Sequence, residues 1–260
     1  MKIALIVLVC LYLSIFAGFF FFQKKLIFYP QRAHGSSKNI ARYEHLEITI
    51  EVDEVTLHGW LLNDGKEKLI VYYGGNAEEV SRTIDDFTHL KKYSVLLMNY
   101  RGYGKSEGTP AEKHLREDAL HIFDYITDTS DIQPENSVLF GRSLGTSIAL
   151  YVASKRTVSS IILVTPFDSI QNIVQDKIPI IPVAMILKHP FNSLSHAEEV
   201  RCPSLILIAK DDRVIKNSYS INLVKHMRGD CAYHIIENAG HNTIHTYPEY
   251  WELISDHLNE

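Results

Sequence analysis

The chain has 260 residues, 22% of them charged and 46% hydrophobic, with a net charge of −5, which suits one large globular domain with a buried core. The absence of a basic stripe excludes a nucleic-acid footprint, and no internal repeat or low-complexity tract is present. The three cysteines build neither a disulfide framework nor a zinc spacing: Cys10 lies in an apolar run, while Cys202 and Cys231 read as buried free thiols.

The first element is an uncharged apolar run, IALIVLVCLYLSIFAGFFFF, from Ile3 to Phe22. As a helix it rises about 30 Å, the thickness of a bilayer core. The run is long for the apolar core of a cleaved signal peptide, and no A-x-A-like site follows it. Residues 1–22 are therefore expected to be an uncleaved single-pass membrane anchor, with cleavage as the rival. The side of the membrane stays open: Lys24, Lys25 and Arg32 follow the run, and the positive-inside bias they give towards a cytoplasmic domain is weak against so short an amino-terminal tail. Residues 23–42 read as a juxtamembrane linker, with Pro30, Gly35, Ser36 and Ser37 breaking regular structure.

Two strands follow, EHLEITIEV and VTLHGWLL, joined by a short turn at Asp53 and Glu54. Strands and helices then alternate. KLIVYY is a strand, and 79–91 suits a helix. SVLLMNY is a strand, and 111–128 a helix. NSVLFG is a strand, followed by a helix from Ser143. SSIILVT and SLILIA are strands, 217–228 a helix, AYHIIE the last strand, and Pro248 opens a final helix. Short apolar runs between helical patterns predict a doubly wound α/β domain: a mostly parallel sheet covered on both faces, with an antiparallel hairpin at one edge. Ligands bind such sheets beyond the carboxyl ends of the strands.

Chemistry collects at those ends. Gly141-Arg142-Ser143-Leu144-Gly145 fits G-x-S-x-G between a strand and a helix, the setting of a nucleophile elbow. A serine nucleophile needs a base and an orienting acid, in the chain order Ser, acid, His. Asp211 and Asp212 follow SLILIA after Lys210, and His241 follows the last strand in a loop with Ala239 and Gly240. Asp212 is preferred as the acid, because Arg213, Val214 and Ile215 return the chain to the core, and Asp211 is read as a loop-solvating or helix-capping residue. His245 is the runner-up base, though a solvated helix face is the expectation for it and for His257. The oxyanion donors are expected to be the backbone N–H of Leu144 and, from the loop Gly74–Ala77, that of Asn76.

Taken together, QKKLIFYP, YYGGNAEEVS, NYRGYGKSEGTP, FGRSLGTSIAL, TPFDSI, LIAKDDRVI and NAGHN resemble, in order and over nearly the whole chain, serine hydrolases of the α/β-hydrolase fold. The likeness is to the membrane-anchored branch with one N-terminal span, and NYRGYGKSEGTP is its most specific stretch. The resemblance implies an α/β-hydrolase domain over 43–260, with Ser143 as nucleophile, Asp212 as acid and His241 as base. It also implies ester or thioester hydrolysis, with lipid-like and acyl-protein substrates among related members. The chain departs from the pattern twice. Gly74-Gly75-Asn76 stands where His-Gly-Asn is usual, which is expected to loosen the oxyanion loop. Asn99 stands where Asp is frequent, at a strand end expected to tolerate change.

The segment from Phe167 to Val200 holds IPIIPVAMILKHPF and reads either as a small helical lid over the site or as ordinary core helix. No cofactor or metal is implied. The expected partners are a small-molecule or lipid-like acyl substrate and a membrane. Two rival functions remain open: a peptidase for short peptides, using Asp168, Asp176, Glu198 or Glu199 to hold an amino terminus, and a non-catalytic scaffold of the same fold.

Overall fold

Strand runs such as KLIVYY and SLILIA have apolar side chains at successive positions. Side chains alternate across a pleated strand, so such runs are stable only when both faces of the sheet are covered. The computed structural model, which describes residues 2–33 and 38–259, has this arrangement. Helix α1 (Lys2–Ile27) and the short α2 (Lys38–Arg42) precede the hairpin β1 (Glu47–Val52) and β2 (Val55–Leu62). There follow β3 (Lys68–Tyr73), α3 (Ile84–Phe87), β4 (Tyr93–Met98), α4 (Glu112–Thr129), β5 (Ser137–Arg142), α5 (Leu144–Ala153) and β6 (Ser160–Val164). Three short helices come next, α6 (Ile170–Lys177), α7 (Val183–Ile186) and α8 (Ser193–Ala197). The chain then forms β7 (Ser204–Ala209), α9 (Asn217–His226), β8 (Cys231–Ile236) and α10 (Pro248–Asn259).

The sheet has eight strands in the order β1-β2-β4-β3-β5-β6-β7-β8. β2 is antiparallel to β1 and β4, and every other pairing is parallel. The expected architecture is therefore present, leading hairpin included. Alternation sorts the strand residues into two cores. Val71, Leu139 and Ile161 pack with helices α4 and α5 on one face. Ile70, Tyr72 and Phe140 pack with Phe87 and the α10 residues Tyr250 and Ile254 on the other.

Three local expectations differ from the structure. The helix expected over 79–91 is a 3₁₀ turn, Val80–Thr83, followed only by α3. Here side chains satisfy the opening donors: Glu79 accepts from Ser81 N–H, and Asn99 Oδ1 accepts from Val80 N–H at 3.2 Å. Asn99 is also no tolerant strand end. It is buried, its amide donates to Glu79 at 3.3 Å, and its carbonyl accepts from Ser106 Oγ at 3.0 Å. At the amino terminus, α1 runs past the expected end at Phe22 to Ile27, and residues expected in a linker are docked: Phe28 is buried, and Gly104 N–H donates to the Gln31 carbonyl at 2.7 Å. Gly35, Ser36 and Ser37 lie outside the described residues, whereas Lys38–Arg42 is helical.

Cys202 and Cys231 are free thiols, half-buried rather than fully buried as expected, and this partial burial pushes both up to about 11, which keeps them protonated near neutral pH.

Replacing Asn99 by Ala removes partners from the buried N–H of Val80 and from Glu79. The expected cost is about 1–3 kcal/mol of stability, read as a fall in the denaturation midpoint at constant slope. An unchanged midpoint would return Asn99 to the class of tolerant strand ends.

Candidate active site

The site begins at the carboxyl end of β5, where strand turns directly into helix. Ser143 carries the turn in a left-handed conformation, φ 51° and ψ −115°. Ser143 N–H is fixed to the Val164 carbonyl at 2.9 Å, and Thr146 N–H closes on the Ser143 carbonyl at 3.0 Å. The flanking glycines serve clearance. A Cβ on Gly145 would lie 1.9 Å from the Tyr73 carbonyl oxygen, and one on Gly141 would lie 2.6 Å from the Gly145 carbonyl oxygen. Helix α5 thus presses against β3 with no room for a side chain, and the strain of the turn falls on Ser143 itself.

The loops after β7 and β8 meet the serine from the other side. Lys210 N–H donates to the Ile236 carbonyl at 3.0 Å and Asp211 N–H to the Ala239 carbonyl at 2.8 Å, so the two loops run side by side. His241 then extends between them. Its Nε2 is 3.0 Å from Ser143 Oγ, and its Nδ1 is 2.7 Å from Asp212 Oδ2. The other Asp212 oxygen accepts the N–H groups of Val214 and Ile215 at 2.7 and 2.8 Å. The Asp212 side chain is only 2% exposed. A carboxylate so held can fix the orientation of the imidazole ring. Ser143, Asp212 and His241 are therefore brought together. Asp211 is exposed, and His245 lies in the 3₁₀ turn Ile244–Thr246, half-buried and away from this hydrogen-bonded chain.

Leu144 N–H opens α5, where the first-turn donors have no acceptor within the helix. The loop after β3 faces it and is not loosened by the missing histidine. Glu78 supplies the bracing: its carboxylate accepts from Gly75 N–H at 2.8 Å, Arg142 Nη1 at 2.9 Å and Tyr72 Oη at 2.7 Å. Tyr100 Oη donates to the Gly74 carbonyl at 2.9 Å, and Asn76 Oδ1 accepts from Tyr103 Oη at 3.0 Å. Arg142 also donates to Asn242 Oδ1 at 3.1 Å, beside His241.

Ser143 stands between two cavities. One, of about 360 Å³, is mainly apolar and lined by Leu144, Phe167, Ile173, Val174 and Ile178 together with Phe19 and Ile27 of α1. The other, of about 470 Å³, is more polar and lined by Arg82, Asp86, Arg142, His241, Asn242 and His245. The acids considered for gripping a peptide amino terminus line neither cavity. Asp168 is buried and accepts from Asn172 and Asn222. Asp176 is paired with Lys216 and Glu199 with Lys155. Among the described residues, no group of three or more His, Cys, Asp or Glu is arranged to hold a metal ion.

Comparison with known proteins meets this geometry. Residues 56–182 match a family model described as alpha/beta hydrolase fold. The chain has the α/β-hydrolase fold. It is 29% identical over 262 residues to the uncharacterized membrane protein YNL320W of Saccharomyces cerevisiae, covering 94% of this chain and 91% of that one. Protein bem46 of Schizosaccharomyces pombe is 25% identical over 269 residues, covering 94% of this chain and 88% of that protein. The esterase Pf2001 of Pyrococcus furiosus superposes with a TM-score of 0.71 at 18% identity, over 89% of this chain and 96% of that chain.

Sequence reasoning missed two parts of this α/β-hydrolase site. Glu78 and Arg142 stand beside motif residues, yet nothing in their spacing says that they pair. Tyr29, whose N–H donates to Asn76 Oδ1 at 3.3 Å, was assigned to a linker.

Glu78→Ala removes the acceptor shared by Gly75, Arg142 and Tyr72, and leaves a mostly buried guanidinium unpaired. The expected loss is about 3–5 kcal/mol of stability. Glu78→Gln keeps the shape and should lose less, so thermal melts of the two variants should separate clearly. Equal melting of both and the parent would remove Glu78 as the brace of the loop.

Proposed function

We propose that this protein is a membrane-anchored serine hydrolase that cleaves carboxylic esters or thioesters through an acyl-enzyme on Ser143. The observation that carries the reading is the hydrogen-bonded chain from Ser143 Oγ through His241 to Asp212. As Oγ attacks the carbonyl carbon, His241 Nε2 takes its proton. The bond to the leaving oxygen or sulfur then breaks, and His241 passes the proton to that atom. Water, losing a proton to the same nitrogen, then attacks the acyl carbon, the bond to Ser143 Oγ breaks, and His241 returns that proton to Oγ as the acid leaves. Asp212 holds the tautomer and stabilises the imidazolium throughout. The backbone N–H groups of Leu144 and Asn76 face the developing oxyanion.

The two cavities favour a substrate with an apolar acyl part and a polar leaving part. The peptidase reading is weaker, because its candidate acids line neither cavity. The scaffold reading gives no reason to hold a serine at positive φ within reach of an imidazole.

Helix α1 is long and apolar enough to cross a membrane. In this reading it is a single-pass anchor, and the segment 167–200 is a lid that meets the bilayer surface. Ile180 and Met185 in that segment are apolar and exposed, which supports the contact.

Ser143→Ala should abolish labelling by a fluorophosphonate probe and lower esterase kcat by several orders of magnitude. Full labelling of that variant would refute the assignment. Asp212→Asn should cut kcat/KM far more than Asp211→Asn, since only Asp212 reaches His241. Equal losses in the two would move the orienting role off Asp212.

A further inference from the structure

We infer that α1 is a wall of the active site as well as an anchor, and that the acyl chain of the substrate lies between this helix and the lid. The inference rests on the acyl-hydrolase reading above and names where its substrate's apolar part binds.

Three buried residues of α1, Phe19, Gln23 and Ile27, recur at a spacing of four and so share one face of the helix. Phe19, Leu26 and Ile27 line the apolar cavity beside Ser143, opposite Ile173, Val174 and Ile178. Phe19 also packs with Ile181, Val183 and Ile186 of the lid. Within this apolar stripe stands one amide. Gln23 is 2% exposed; its Nε2 donates to the Ile186 carbonyl at 3.1 Å, and its Oε1 accepts from Lys188 N–H at 2.6 Å. A side chain that satisfies a donor and an acceptor of one loop sets the register of helix against lid, because any shift leaves both buried groups unpaired.

The end of α1 is fixed as well. Phe28, just beyond it, packs edge-on against His189 and Phe191. The Tyr29 N–H to Asn76 contact joins the chain leaving α1 to the loop that faces Ser143. The helix is therefore tied both to the lid and to the oxyanion loop. With α1 in a bilayer, a lipid-borne acyl chain has an apolar route between helix and lid to Ser143. A chain cut after α1 would lack one side of this cavity, so the full chain is the material to test.

The experiment measures kcat/KM for nitrophenyl esters from acetyl to palmitoyl, on full-length protein in detergent micelles. Parent, Phe19→Trp, Phe19→Ala and Phe21→Ala are compared, with fluorophosphonate labelling of each. Phe21 is 75% exposed and off the buried stripe, which makes it the control. The parent should prefer medium or long chains. Phe19→Trp fills the cavity and should lower the long-to-acetyl ratio about tenfold or more. Phe19→Ala should move the optimum to longer chains, and Phe21→Ala should keep the parental ratio. If labelling persists while neither Phe19 variant moves the ratio, α1 is not an acyl wall and the hydrolase reading stands. If the parent itself is not labelled and cleaves no ester, the hydrolase reading fails and this inference with it.

Discussion

The site depends on the close approach of α5 to the end of β3. The Tyr73 carbonyl occupies the space where any side chain at position 145 would begin. That contact lets the helix start immediately after β5, without a connecting loop. It also leaves Ser143 as the one residue that must take the unfavourable backbone conformation. A serine so held is lifted clear of the sheet, with its hydroxyl facing the loops after β7 and β8. The strain of order 1–3 kcal/mol is offset by the packing around it.

The rest of the site consists of devices that keep this geometry against small displacements. Asp212 is fixed by two backbone donors before it touches His241, so its orientation does not depend on the imidazole. Glu78 and Arg142 join the loop after β3, the elbow and the His241 loop through one mostly buried ion pair. Such a pair contributes little net stability, because desolvation opposes the attraction. Its value is positional: three loops from distant parts of the chain share one pair of charges. Across the site, helix α1 supplies apolar surface beside Ser143.

Much of this was legible in the sequence, for identifiable reasons. Strand runs such as LILIA are apolar at every position, so burial on both faces follows directly. The elbow could be read because strand, glycines and small helix residues occur together around Ser143. Asp212, the carboxylate that meets His241, could be chosen over Asp211 because the chain returns to the core at Ile215, although Val214 stays exposed. What escaped was long-range and polar. Nothing near Asn99 announces that its amide will satisfy Val80, and nothing near Gln23 announces a partner at Lys188. The helix expected over 79–91 is instead a 3₁₀ turn and the four-residue α3, and the distant Asn99 holds the Val80 N–H. The boundary at Phe22 was drawn where the apolar run stops, although helix formation continues through Gln23 and the lysines to Ile27.

The most direct test of the central claim is to trap the covalent intermediate. Full-length protein is mixed with a slowly deacylating activated ester, quenched in acid, and analysed by intact mass and peptide mapping. The account predicts a single acyl adduct, located on Ser143, formed with a burst of leaving group and absent when His241 is replaced by Ala. An adduct on a cysteine or lysine instead, or turnover with no adduct and no burst, would contradict it.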